Sequence, residues 1–184
     1  MHWAIERILL GRPDRQTIAK YAKGNDRYLG AGILVSAALL GLAITQPMIT
    51  ATGYLALSGS YSLLRAMGEF LKTGQGTLAL LVFGVTILFP VFFLSTAFDL
   101  WYKHELQEPK FARKARLLHQ FSRLWFVVFA VVLAGIYFLM RAQTGVVLHV
   151  AIYYLVISLA LQKLVTARMM PMINAVTFVD EEGD

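Results

Sequence analysis

Residues 77–97 read TLALLVFGVTILFPVFFLSTA, twenty-one positions without a charged side chain. An α-helix rises 1.5 Å per residue, so a helix of this length spans roughly 30 Å, the thickness of a bilayer's hydrocarbon core. A single block of this kind can be the central helix of a soluble domain. This chain has three more, at 29–49, 124–140 and 146–165, separated by charged stretches. It has 184 residues, 58% of them hydrophobic, and a mean hydropathy of +0.61, whereas soluble domains are about 45–50% apolar. A soluble fold of this size would lack polar residues to cover its surface. The sequence therefore predicts an all-α, polytopic membrane protein with four transmembrane helices. Residues 1–28 form an N-terminal segment and residues 166–184 a tail.

The four blocks differ in character. The first is rich in small residues, and Gly32/Ser36 and Ala37/Gly41 are small-xxx-small pairs that let helices approach closely in lipid. Pro47 in its last turn kinks or ends it. Pro90, inside the second block, leaves the Thr86 carbonyl without its helical donor and bends the helix. Between these blocks, Leu57, Tyr61, Leu64, Gly68 and Leu71 share one face at helical period, with Arg65, Glu69 and Lys72 off that face. Gly59 and Ser60 are placed to begin this helix and Gly74 to close it. It is too short and too charged to span, so it is expected to lie as an interfacial helix on the outer side. Residues 2–10, HWAIERILL, predict a short amphipathic helix on the membrane surface, with a loose terminus as the plain alternative. No small-residue cleavage site follows the short apolar run Ile8 to Leu10, so a cleaved signal peptide is not expected.

Charge sets the expected orientation. Lys and Arg number six in residues 1–28, six in 99–123 and two in 163–184, fourteen on one side, against Arg65, Lys72 and Arg141 on the other. Positive charge is retained in the cytoplasm, so both termini are expected there, in the inner membrane, and an even number of spans agrees. The formal net charge of +6 is accounted for by these flanks, and no nucleic-acid module is visible. In the loop DLWYKHELQEPKFARKARLLHQF, 99–121, Lys110, Arg113, Lys114 and Arg116 cluster after Pro109. They either contact anionic headgroups or an acidic partner, or simply anchor the topology. The stretch 110–123 is expected to begin a helix that continues into the third span.

Chemistry-bearing residues are sparse. The absence of cysteine excludes disulfides, thiolate metal sites and a thiol nucleophile. His2, His104, His119 and His149 do not fall at metal-ligand spacing. No arrangement of serine, histidine and acid points to hydrolysis, so neither a catalytic residue nor a cofactor is assigned. His149, in the first turns of the fourth block, is the clearest ionisable candidate. It is either a hydrogen-bonded interfacial histidine or a titrating group. It shares a face with Tyr153, while Tyr154, Ser158 and Gln162 form a second polar face that lines a bundle core or a pathway.

Several pieces recur in one order. They are Pro47 closing the first span, Tyr61–Ser62 opening YSLLRAMGEFLKTGQGTLALLVFGVTILFP at 61–90, Leu78–Leu80 starting the second span and the Phe89–Pro90 step within it. The charged loop and SRLWFVVFAVVLAG at 122–135 follow. Over residues 29–165 this order resembles the paraquat-inducible protein A family of bacterial inner-membrane proteins. The resemblance implies an inner-membrane component of an envelope lipid-transport system, exchanging phospholipid with a periplasmic MCE-domain tunnel protein. Pro47, Tyr61, Ser62, Pro90, His149 and Tyr153 would then serve gating roles, with lipid between spans 1, 2 and 4. Arg65, Lys110, Arg113, Lys114 and Arg116 would contact headgroups or a partner. The chain departs from the family in lacking the cysteine-rich zinc-ribbon segments, in having one membrane module where many members have two, and in lacking the lysine often found just after the Phe-Pro step. A single module would pair with a second copy or another membrane subunit. The alternative is a non-catalytic structural or assembly subunit of another membrane complex.

Overall fold

The computed structural model describes residues 16–54, 57–141 and 146–181. The expected surface helix at 2–10 lies outside these residues. Four helices are long and apolar enough to cross a membrane, Gly24–Thr45, Gly76–Lys103, Pro109–Arg141 and Ala151–Ala175. The protein is an all-α polytopic membrane protein.

The chain enters through a short helix α1 (Ile18–Tyr21) and a 3₁₀ turn (Gly24–Tyr28) that runs into α2 (Leu29–Thr45). α2 stops at Thr45 rather than at Ile49. The Thr45 hydroxyl donates back to the Gly41 carbonyl at 2.8 Å. Pro47 then restricts Gln46 to extended backbone and offers no donor of its own. Beyond it the chain turns into strands β1 (Ile49–Tyr54) and β2 (Leu57–Tyr61), and a third strand, β3 (Val146–Leu148), completes a sheet of order β2-β1-β3. Both pairings are antiparallel, with Ile49 opposite Tyr61 and Leu148, and Thr50 opposite Ser60 and Val147.

This sheet corrects two expectations. Residues 57–61 do not begin the amphipathic helix, and Val146 does not begin the fourth span. Strand period explains both. Ile49 and Ala51 alternate with Thr50 and Thr52, and only the first pair is buried. The amphipathic helix α3 (Leu63–Lys72) starts after Ser62, whose Oγ accepts from the Arg65 N–H. It closes where expected, at Gly74, which takes φ +77° while the Gln75 N–H reaches back to the Phe70 carbonyl.

The second span, α4 (Gly76–Lys103), contains two π-helical turns, Gly84–Leu88 and Asp99–Lys103. The first has an evident cause. Pro90 cannot donate to the Thr86 carbonyl, and the Phe89 N–H reaches one residue further, to Gly84. The third span is one helix, α5 (Pro109–Arg141), which carries the basic stretch into the membrane segment as expected. α6 (Ala151–Glu181) runs far past residue 165, so the tail is helical to Glu181. Thr166, Met169 and Ile173 are buried at helical spacing, so the first turns beyond residue 165 belong to the packed core.

The described residues divide into two compact units. One lies within Met1–Ser36, Phe92–Leu124 and Ala160–Asp184, and the other within Ala37–Val91 and Trp125–Leu159. In the first, Phe111, Ala115 and Leu118 of α5 form a buried stripe. The Leu106 N–H bonds to the Gln16 carbonyl, and His104 Nδ1 pairs with Glu108 Oε2 at 2.7 Å. Gly30 is the point of closest approach. A Cβ there would collide with the Tyr102 hydroxyl and lie 2.6 Å from Trp101 Nε1. Gly32 lies similarly close to Val165, so the Gly32/Ser36 pair packs within the chain. In the second unit, Trp125 stacks on Phe129 at 4.7 Å and donates from Nε1 to the Leu159 carbonyl. Ala37 and Gly41 are exposed, so the second small-residue pair packs against nothing among the described residues.

Candidate functional site

The second unit encloses a cavity of about 320 Å³. Its wall is assembled by periodicity. On α3, the inward positions Leu63, Ala66 and Phe70 face it. On α4, Leu78, Leu81, Val82, Val85 and Thr86 recur every three or four residues, the last two within the π turn caused by Pro90. On α5, Val131, Val132, Gly135, Ile136, Phe138 and Leu139 supply the opposite side, and α6 adds Leu155. Met48, Ile49 and Tyr61 close the end beneath the sheet, all less than 10% exposed. Leu81 and Phe138 are wall residues that are themselves more than half exposed, so the cavity opens to the surroundings between α4 and α5.

The wall offers little polarity. Ser62 caps α3, the Thr86 hydroxyl donates to the Val82 carbonyl at 2.6 Å, and the Tyr61 hydroxyl donates to the Ser58 carbonyl at 3.0 Å. The wall residues include no acid, base or free nucleophile. Such a surface is suited to an apolar group.

The other face of the sheet is polar. Thr50, Thr52, Ser58 and Ser60 point away from the buried side. The Thr50 hydroxyl lies 2.6 Å from Ser60 Oγ and 2.7 Å from His149 Nε2, and the His149 N–H donates to the Met48 carbonyl. His149 is therefore a hydrogen-bonded residue that fastens β3 to β1, and it does not line the cavity.

The expected site residues separate accordingly. Tyr61 and Ser62 line the cavity. Pro47 precedes the wall residue Met48, and Pro90 shapes the π turn that presents Val85 and Thr86. Tyr153 is 66% exposed and stands apart from the cavity. Lys110, Arg113 and Arg116 are exposed on α5 in the first unit, whereas Lys114 is paired with Asp99. The polar face of α6 belongs to the core: Ser158 and Gln162 are buried and Tyr154 half-buried. The wall draws on spans 2 and 3, with one residue from span 4 and none from α2, so the space is not between spans 1, 2 and 4. Sequence reasoning missed the sheet that closes it. The available signal was the period-two alternation of Ile49 to Thr52. Comparisons with protein-family models, curated proteins and solved structures found no match.

Proposed function

We propose that this chain is a lipid-handling subunit of the bacterial inner membrane, taking an acyl chain laterally into the cavity beneath the sheet. The observation that carries this is the wall itself, apolar but for the hydroxyls of Tyr61, Ser62 and Thr86, which are engaged within the chain, open between Leu81 and Phe138 and closed by Met48, Ile49 and Tyr61. An aqueous solute would find few partners there, whereas an acyl chain gains contact along the wall. The distribution of lysine and arginine supports cytoplasmic termini, with the sheet and α3 on the periplasmic side.

The resemblance to the paraquat-inducible protein A family adds the partner of the exchange, a periplasmic MCE-domain tunnel protein. The exposed hydroxyl face of the sheet is available to such a partner. A single membrane module would act with a second copy or another membrane subunit. The roles of Tyr61, Ser62 and the two prolines are to shape and close the cavity. The test is to isolate the chain, after cross-linking in cells, in native lipid discs. Lipid density in the cavity together with a tunnel protein in the complex is the expected result. An empty cavity in a complex of other composition would make the chain a structural or assembly subunit.

A further inference from the structure

Three cations lie on the proposed periplasmic side, and their charges are differently engaged. Lys72 is paired with Glu69 at 2.8 Å. Arg141 donates to the Tyr137 hydroxyl at 3.0 Å and stands over that ring. Arg65 is exposed, and among the described residues no carboxylate pairs with it. Its guanidinium carbon stands 5.9 Å from the centroid of Tyr61. Tyr61 is a wall residue of the cavity, as are Ser62, which caps α3 and accepts from the Arg65 N–H, and Ala66, the next residue along the helix. A cation without an ion-pair partner therefore stands beside a wall residue of the cavity.

We infer that Arg65 is the headgroup subsite of this cavity, and that the ligand is an anionic phospholipid bound with one acyl chain inside. This rests on the proposal that the cavity takes lipid. A guanidinium matches a phosphate with two parallel hydrogen bonds, which a lysine ammonium cannot do. A zwitterionic headgroup carries its own cation, which offsets the phosphate charge and is repelled by Arg65. An anionic headgroup leaves the phosphate free to pair. The volume of about 320 Å³ lies at the low end of small-molecule sites, roughly 300–1,000 Å³. It suits one chain and not two, so the second chain stays in the bilayer. α3 fits this position. Leu64 and Leu71 are exposed on it and would rest among the lipids while Arg65 reaches the phosphates.

The experiment uses the full chain in vesicles of equal parts phosphatidylglycerol and phosphatidylcholine. A trace of either lipid carries a photoreactive group on one acyl chain, and labelled peptides are mapped by mass spectrometry. Wild type is expected to take label at the α4 and α5 walls, more from the phosphatidylglycerol probe. Arg65→Gln is expected to lose that preference by about tenfold, the scale of one charge-assisted contact, while phosphatidylcholine labelling persists. Arg141→Gln, which removes a cation engaged with Tyr137 and leaves α3 untouched, is expected to keep the preference. Wall labelling with an unchanged preference in Arg65→Gln overturns the headgroup assignment and leaves the lipid cavity standing. An equal loss in Arg141→Gln also overturns it, since surface charge in general would then be responsible. No wall labelling with either probe overturns both proposals.

Discussion

At the residue scale, two glycines of α2 with the same chemistry have opposite structural roles. Gly30 lies where the Trp101 indole and the Tyr102 hydroxyl converge, and a methyl group has no room there. Gly41 faces open space. Gly30→Ala should lower the stability of the detergent-solubilised protein by about 1–3 kcal/mol through overpacking. Gly41→Ala should leave it unchanged or raise it by up to about 1 kcal/mol through helix propensity. Thermal unfolding of the two variants side by side checks this, and equal effects would show that α2 does not pack as described. The sequence marks both as small residues of a packing-prone helix. It does not say which one is in contact, because that depends on Trp101 and Tyr102, more than sixty positions away along the chain.

At the element scale, the second span is shaped by one missing hydrogen-bond donor. Pro90 and the Gly84–Leu88 π turn belong together, and the turn carries the wall residues Val85 and Thr86. Pro90→Ala restores the donor and allows a regular helix, whose register past the turn shifts by about one residue, roughly 100°. The variant should therefore be more stable, by up to about 3 kcal/mol, the usual difference between the two residues in a helix. It should also retain less lipid. Unfolding temperature and bound lipid measured on one preparation would separate these effects, and an unchanged lipid content would detach the π turn from the cavity. The disturbance at Pro90 was legible in the sequence, since proline acts locally, but its form as a π turn was not. The sheet was less so. Its strands are short, their pairing joins residues about a hundred positions apart, Thr50 with Val147, and their apolar letters adjoin apolar spans. The run from Met48 onward extends the first block by composition, and only the alternation of Ile49 to Thr52 separates strand from helix.

At the scale of the whole molecule, the four-span architecture followed from composition, because bilayer thickness imposes a length that sequence displays directly. The cavity did not. It depends on which faces of α3, α4 and α5 turn toward one another, and helix periodicity fixes a face without naming its neighbour. Orientation rests on charge, fourteen basic residues against three, and the absence of native cysteine makes it directly measurable. Single-cysteine variants Ser58→Cys, on the sheet, and Arg116→Cys, on the basic stretch of α5, should react with a membrane-impermeant maleimide from opposite sides, the first from the periplasm. Labelling of both from one side would contradict the topology.

The cavity beneath the sheet is proposed to hold an acyl chain, and one substitution bears on this directly. Gly135 lines the cavity at a position where a Cβ meets no atom within 4 Å, so Gly135→Phe starts a bulky side chain at the wall without a clash at Cβ, where it would narrow the space, and removes a helix-weakening glycine. Native mass spectrometry of the purified wild type should show bound phospholipid. The folded Gly135→Phe variant should show it reduced several-fold, with Gly135→Ala close to wild type. Equal lipid retention in Gly135→Phe and wild type, or none in either, would contradict the account.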